Sequence, residues 1–99
     1  MLEITIDGKN FNDLDEFYCE IDKLLTKNLE WQTGHNFDAF NDLLRGGFGV
    51  HKDGEPIVIK WINYNKSKTD LGNDTILTLL EIICDFNNSG HNCKLQLYP

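Results

Sequence analysis

Ile57-Val58-Ile59-Lys60-Trp61 is the stretch on which the fold turns. A near-continuous apolar run of this length, rich in β-branched residues, reads as a strand from the middle of a sheet. Upstream, Leu2, Ile4 and Ile6 alternate with Glu3 and Thr5, a half-buried strand closed by the Asp7-Gly8 turn. Downstream, Leu95-Gln96-Leu97-Tyr98 alternates in the same way. Leu2/Ile4/Ile6, Ile57/Ile59/Trp61 and Leu95/Leu97 form one apolar face, whereas Glu3/Thr5, Val58/Lys60 and Lys94/Gln96 make the other largely polar.

Helical patterns fill the two intervals. Leu14, Phe17, Tyr18, Ile21, Leu24 and Leu25 recur at helical spacing. Asn12 stands as the cap, and Asp13, Asp15 and Glu16 complement the positive end of the dipole. A shorter helix starts near Asn36 with Phe37, Phe40, Leu43 and Leu44 facing inward, and Gly46-Gly47 ends it. After the central strand, Tyr64 to Lys68 forms a short helix. A longer one follows, capped by Asn73 or Asp74 and closed by Ser89-Gly90, with Ile76, Leu77, Leu79, Leu80, Ile83 and Phe86 as its apolar positions. The order βααβααβ predicts an α/β fold of two layers, a three-stranded parallel sheet with four helices over mainly one face and right-handed crossovers.

The 99 residues match one domain. Sixteen acids against nine bases give a net charge of −7, with a single arginine, Arg45. Nucleic acid and anionic membranes are therefore poor partners, and a basic protein is the natural one. The first residues carry no basic and apolar leader, and no run reaches the ~20 apolar residues of a membrane span. Three cysteines, Cys19, Cys84 and Cys93, lack a paired spacing. Reduced thiols in a cytoplasm are the expectation. Cys84, His91 and Cys93 lie close together, yet a structural zinc needs four ligands and no fourth stands nearby.

No phosphate-cradling loop or nucleophile elbow is present, and the glycines at 46, 47, 49 and 54 follow a helix rather than a strand. His35, His51 and His91 read as surface or loop imidazoles, outside any nucleophile–base–orienter arrangement. Asp38 and Asp42 lie four apart on one helix face, a like-charge pair costing a few tenths of a kcal/mol, with Arg45 three positions on to offset part of it. Such a pair is either an ordinary solvated face, a hydrolase or metal pair with His35, or a set of acids held out for a cationic partner. Pattern alone leaves these open.

Residues 31–46, WQTGHNFDAFNDLLRG, and 54–72, GEPIVIKWINYNKSKTDLG, resemble the barstar family, small inhibitors of secreted microbial ribonucleases such as barnase. The matching positions are Gly34, Asn36, Asp38, Ala39, Asp42, Leu44 and Gly46, then Pro56, Val58, Trp61, Ser67, Lys68, Leu71 and Gly72. The resemblance extends over essentially the whole chain and implies the same three-stranded parallel sheet with four helices, no catalysis and no cofactor; no metal site is expected from the residues themselves. It implies that Asp42 takes the place of a substrate phosphate in a ribonuclease site, with Asp38 beside it, Asn36 capping their helix and Gly34 shaping the approach. His35, Asn41 and Arg45 on the same segment join the partner-binding set, as do Trp31, Phe48 and Glu81. In the family's prototype two tyrosines precede the glycine, where Gln32 and Thr33 stand here; Trp31 is the nearest substitute, and Phe48 between glycines is either an interface anchor or a plug over the core. The prototype's acid on the last helix falls on Ile82, leaving Glu81 or Asp85 to serve. The expectation is a cytoplasmic inhibitor of a basic ribonuclease or related nuclease toxin, monomeric when free. The same fold binding a non-ribonuclease target, such as another toxin or a regulatory protein, is the alternative.

Overall fold

A computed structural model describes residues 2–26, 34–46, 55–84 and 91–99. Strand β1 (Leu2–Asp7) leads through a 3-10 turn (Gly8–Asn10) to α1 (Leu14–Leu25) and α2 (Phe37–Arg45). Then come β2 (Ile57–Ile62), α3 (Tyr64–Leu71), α4 (Asn73–Ile83) and β3 (Cys93–Leu97). The sheet order is β1-β2-β3 and both pairings are parallel. Ile57-Val58-Ile59 thus belongs to the central strand, as its unbroken apolar character predicts. Register places Ile4, Ile59 and Leu95 in one row and Ile6, Trp61 and Leu97 in the next.

The two sheet faces differ as their composition requires. Ile4, Ile6, Ile57, Ile59 and Trp61 are buried beneath the helices. Glu3 and Thr5 stay exposed on the other face, where Lys60 Nζ meets the Glu3 carboxylate at 2.6 Å. Leu97 departs from this pattern and is exposed at the end of its strand.

The core is an aromatic cluster with Phe17 at its centre. Its ring stacks on Trp61 at 5.6 Å and meets Phe11 and Phe40 edge-on at 5.3 and 5.4 Å. The indole N–H of Trp61 donates to Ser67 Oγ at 3.0 Å, which satisfies both buried polar groups.

Helix boundaries differ from expectation where side chains find other partners. Asp13, rather than Asn12, caps α1 by accepting from the Glu16 N–H at 2.8 Å, while the Glu16 carboxylate accepts from the Asn12 N–H. The Asn12 side chain is engaged elsewhere, accepting from Lys66 Nζ at 2.9 Å. Helix α3 runs three residues past Lys68, so only Gly72 separates it from α4. That corner needs φ = 86°, which glycine adopts without steric cost, and neither Asn73 nor Asp74 provides the expected cap. The described part of α4 ends at Ile83, and the closing Ser89-Gly90 and Phe86 lie outside the described residues. Leu77 is exposed, so α4 is less fully enclosed than its apolar sequence suggests. Among the described residues, no helix is long and apolar enough to cross a membrane.

Candidate functional site

Helix α2 packs against α1 and α4 through Phe40, Leu43 and Leu44, all buried. Asn36 sets its start: the side-chain oxygen accepts from the Ala39 N–H at 2.8 Å. Gly46, at φ = 102°, ends it, and its N–H reaches the Asp42 and Leu43 carbonyls. Nine residues pinned at both ends and held by three apolar side chains form a short, firm platform. Replacing Asn36 by alanine is expected to cost about 1 kcal/mol of stability, the usual worth of such a cap. Urea unfolding reads this directly, and an unchanged midpoint would show the cap to be idle.

The opposite side of α2 carries the charge. At 100° per residue, Asp38 and Asp42 lie about 40° apart around the axis and one turn apart along it. Both are exposed. Asp42 has 59% of its side chain accessible, and the Arg45 guanidinium approaches it only to 3.8 Å across a solvated gap. Asn41 is half-buried between this face and the packed one.

Gly34 is exposed, and its carbonyl accepts from the Asn36 N–H at 3.0 Å. A Cβ at Gly34 would stand 3.3 Å from Asn36 Nδ2 and 3.5 Å from Ala39 Cβ, so any larger residue presses on the cap.

His35 behaves differently from its neighbours. Its side chain is only 15% exposed and turns toward α1, with Nδ1 2.7 Å from Asp15 Oδ1 and Nε2 3.2 Å from Asp22 Oδ2. The hydrogen bond to Asp15, followed by that to Asp22, raises its pKa despite partial desolvation. Its ring also lies 5.6 Å from that of Tyr18. Both ring nitrogens thus engage carboxylates of α1, and among the described residues neither is hydrogen-bonded to Asp38 or Asp42. His91, like His35, lies outside helix and strand, as a loop imidazole would, but not at the surface. It is buried, and its Nε2–H donates to the Ile82 carbonyl at 2.6 Å.

Helical spacing predicts an inward-facing Phe37. It is 36% exposed at the first position of α2, with its ring edge-on to that of Tyr18 at a centroid distance of 6.4 Å. An accessible aromatic beside Asp38 is a partner-contact candidate that helical periodicity alone assigns to the core. Glu81 is exposed on α4, the helix against which α2 packs, whereas Ile82 is half-buried against the core. Trp31, Phe48, Gln32, Thr33, His51 and Asp85 lie outside the described residues.

A capped helix whose buried side is clamped between two neighbours, and whose free side offers two carboxylates, can serve as a rigid presenter of negative charge. A family model described as "Barstar (barnase inhibitor)" matches residues 1–98. The chain belongs to the barstar family. No curated protein matches it. The barstar family is one of inhibitors rather than enzymes, and the α/β architecture with three parallel strands and four helices agrees with that membership.

Proposed function

We propose that this barstar-family chain binds and blocks the active site of a small basic ribonuclease or related nuclease toxin, protecting the cytoplasm of its producer. The observation that carries this is the exposure of Asp42 on a helix fixed by its cap, its terminating glycine and its buried face. A ribonuclease site gathers Arg, Lys and protonated His to stabilise a phosphate anion. A preorganised carboxylate meets the same groups without the entropy cost of ordering a flexible chain. Two unit charges 4 Å apart interact by ~4 kcal/mol at an effective dielectric of 20. Asp38 adds to the local potential, and Phe37 supplies apolar contact at the rim.

The net charge of −7 acts at longer range by steering encounter with a cationic enzyme. Titrating the purified chain into a barnase-type ribonuclease, and into any Lys/Arg-rich nuclease encoded beside its gene, is expected to abolish RNA cleavage by one of them at equimolar ratio. The association rate should fall steeply as salt rises, because exposed charges are screened beyond the ~8 Å Debye length of physiological solutions. Undiminished cleavage by both enzymes in excess inhibitor would overturn the proposal. A non-ribonuclease target is the second reading. It is favoured by Ile82, which packs on the core at the position where the resemblance implies a partner-facing acid.

A further inference from the structure

Helix α1 presents Asp15, Cys19 and Asp22 at positions i, i+4 and i+7, two turns along one face. His35, arriving just before the cap of α2, lies against this row. One donor atom from each of Asp15, Cys19 and His35 falls within 4.8 Å of the others, the only grouping of this kind among the described residues. Asp22 completes the arrangement from behind, with its carboxylate 3.2 Å from His35 Nε2.

The geometry points to a divalent transition-metal site, for Zn²⁺ or an ion of similar preference, with Asp15, the Cys19 thiolate and His35 Nδ1 as ligands and water in the fourth position. The donor chemistry selects the class. A thiolate with an imidazole suits Zn²⁺ or Co²⁺, whereas Ca²⁺ and Mg²⁺ need all-oxygen shells. Tetrahedral bonds of 2.0–2.3 Å place ligand atoms roughly 3.3–3.8 Å apart. The present cluster therefore needs the Asp15–His35 contact, now 2.7 Å, to open slightly and the wider separations to close. Side-chain rotations of an exposed aspartate and a half-buried cysteine can provide that.

Asp22 has the outer role. A histidine that ligates through one nitrogen characteristically donates its other N–H to a carboxylate, which fixes the tautomer and the ring plane. Nε2 and Asp22 already stand in that relation, so the ring is aimed with Nδ1 toward Asp15 before any ion arrives. Two carboxylates, Asp15 and Asp22, beside one imidazole also give a dication a favourable electrostatic setting. The metal would tie the Gly34–Asn36 approach of α2 to α1. The site stands on its own geometry, whether or not the chain inhibits a nuclease.

Co²⁺ added to the reduced, chelator-treated protein is the direct test. A thiolate-to-cobalt charge-transfer band saturating at one equivalent is expected, displaced by Zn²⁺. The band should persist in the Cys84→Ser/Cys93→Ser double variant and vanish in Cys19→Ser. His35→Gln should weaken Zn²⁺ binding at least tenfold, and Asp22→Asn by roughly 10–100-fold, the usual effect of losing a carboxylate behind a ligating histidine. Should Cys19→Ser fail to fold, His35→Gln carries the test, since its ring lies outside the central aromatic core. A band absent from the parent, or undiminished in both Cys19→Ser and His35→Gln, would overturn the site.

Discussion

Replacing Asp42 by alanine should weaken the complex with the target nuclease by at least ~2 kcal/mol, about 30-fold in Kd, while folding stability stays within ~0.5 kcal/mol. The two halves of this expectation have separate physical sources. In the free chain Asp42 is largely solvated, its contact with Arg45 spans 3.8 Å, and Asp38 lies one turn away with like charge. Removing the carboxylate forfeits a weak exposed ion pair and relieves a weak repulsion, both a few tenths of a kcal/mol. In the proposed complex the same carboxylate would be desolvated among cationic groups built for phosphate. Its loss leaves those groups buried and without their counter-charge, which is the expensive outcome. Asp38→Ala should cost less, because it removes only part of the field. Affinity equal to the parent's in Asp42→Ala, measured against a nuclease that the parent inhibits, would remove Asp42 from its role as anchor.

Where side-chain pattern alone decides a structure, the sequence is read easily. An unbroken run of β-branched residues has nowhere to go but the centre of a sheet, so Ile57–Ile59 locates the central strand and the two flanking strands follow. Asn36 and Gly46 punctuate α2 because their preferred backbone conformations and side-chain geometry fit its ends. Competition is harder to read. Asn12 and Asp13 both cap well, and Lys66, 54 residues away in sequence, decides between them by engaging Asn12. Phe37 obeys the helical period, yet period says nothing about where the neighbouring layer stops.

The site divides along the same line. Asp38 and Asp42 are legible as one exposed helix face. The turning of His35 toward α1 is set by tertiary approach, which no local pattern encodes. One signal was present, the Asp15-x3-Cys19-x2-Asp22 spacing that aligns three potential donors on a single helical face. It acquires meaning only once α2 brings a histidine beside it.

The largest stability effect is expected at Phe17, whose replacement by alanine should cost ~3–5 kcal/mol, the range for truncating a buried aromatic. Phe17 is fully buried and touches Phe11, Tyr18, Phe40 and Trp61, so it joins α1 to the central strand and to the underside of α2 at once. For a domain of this size the loss corresponds to a Tm roughly 12–40 °C lower, and it approaches the whole stability of a marginal fold. A loss below ~1 kcal/mol in calorimetry or urea unfolding would mean that the neighbours collapse into the space and that the cluster is not the keystone. The variant also separates support from contact. Phe40, whose ring rests on Phe17, lies about 160° around α2 from Asp42, so the proposed binding face is not itself altered by the substitution. Saturating nuclease at 100 times its Kd adds ~2.7 kcal/mol to the folded state. Thermal unfolding of Phe17→Ala should therefore recover much of the deficit when the nuclease is added, provided that α2 keeps its register over the damaged core. If α2 instead slides on its softened seat, Asp38 and Asp42 lose their alignment, and the added nuclease stabilises the variant far less than it stabilises the parent.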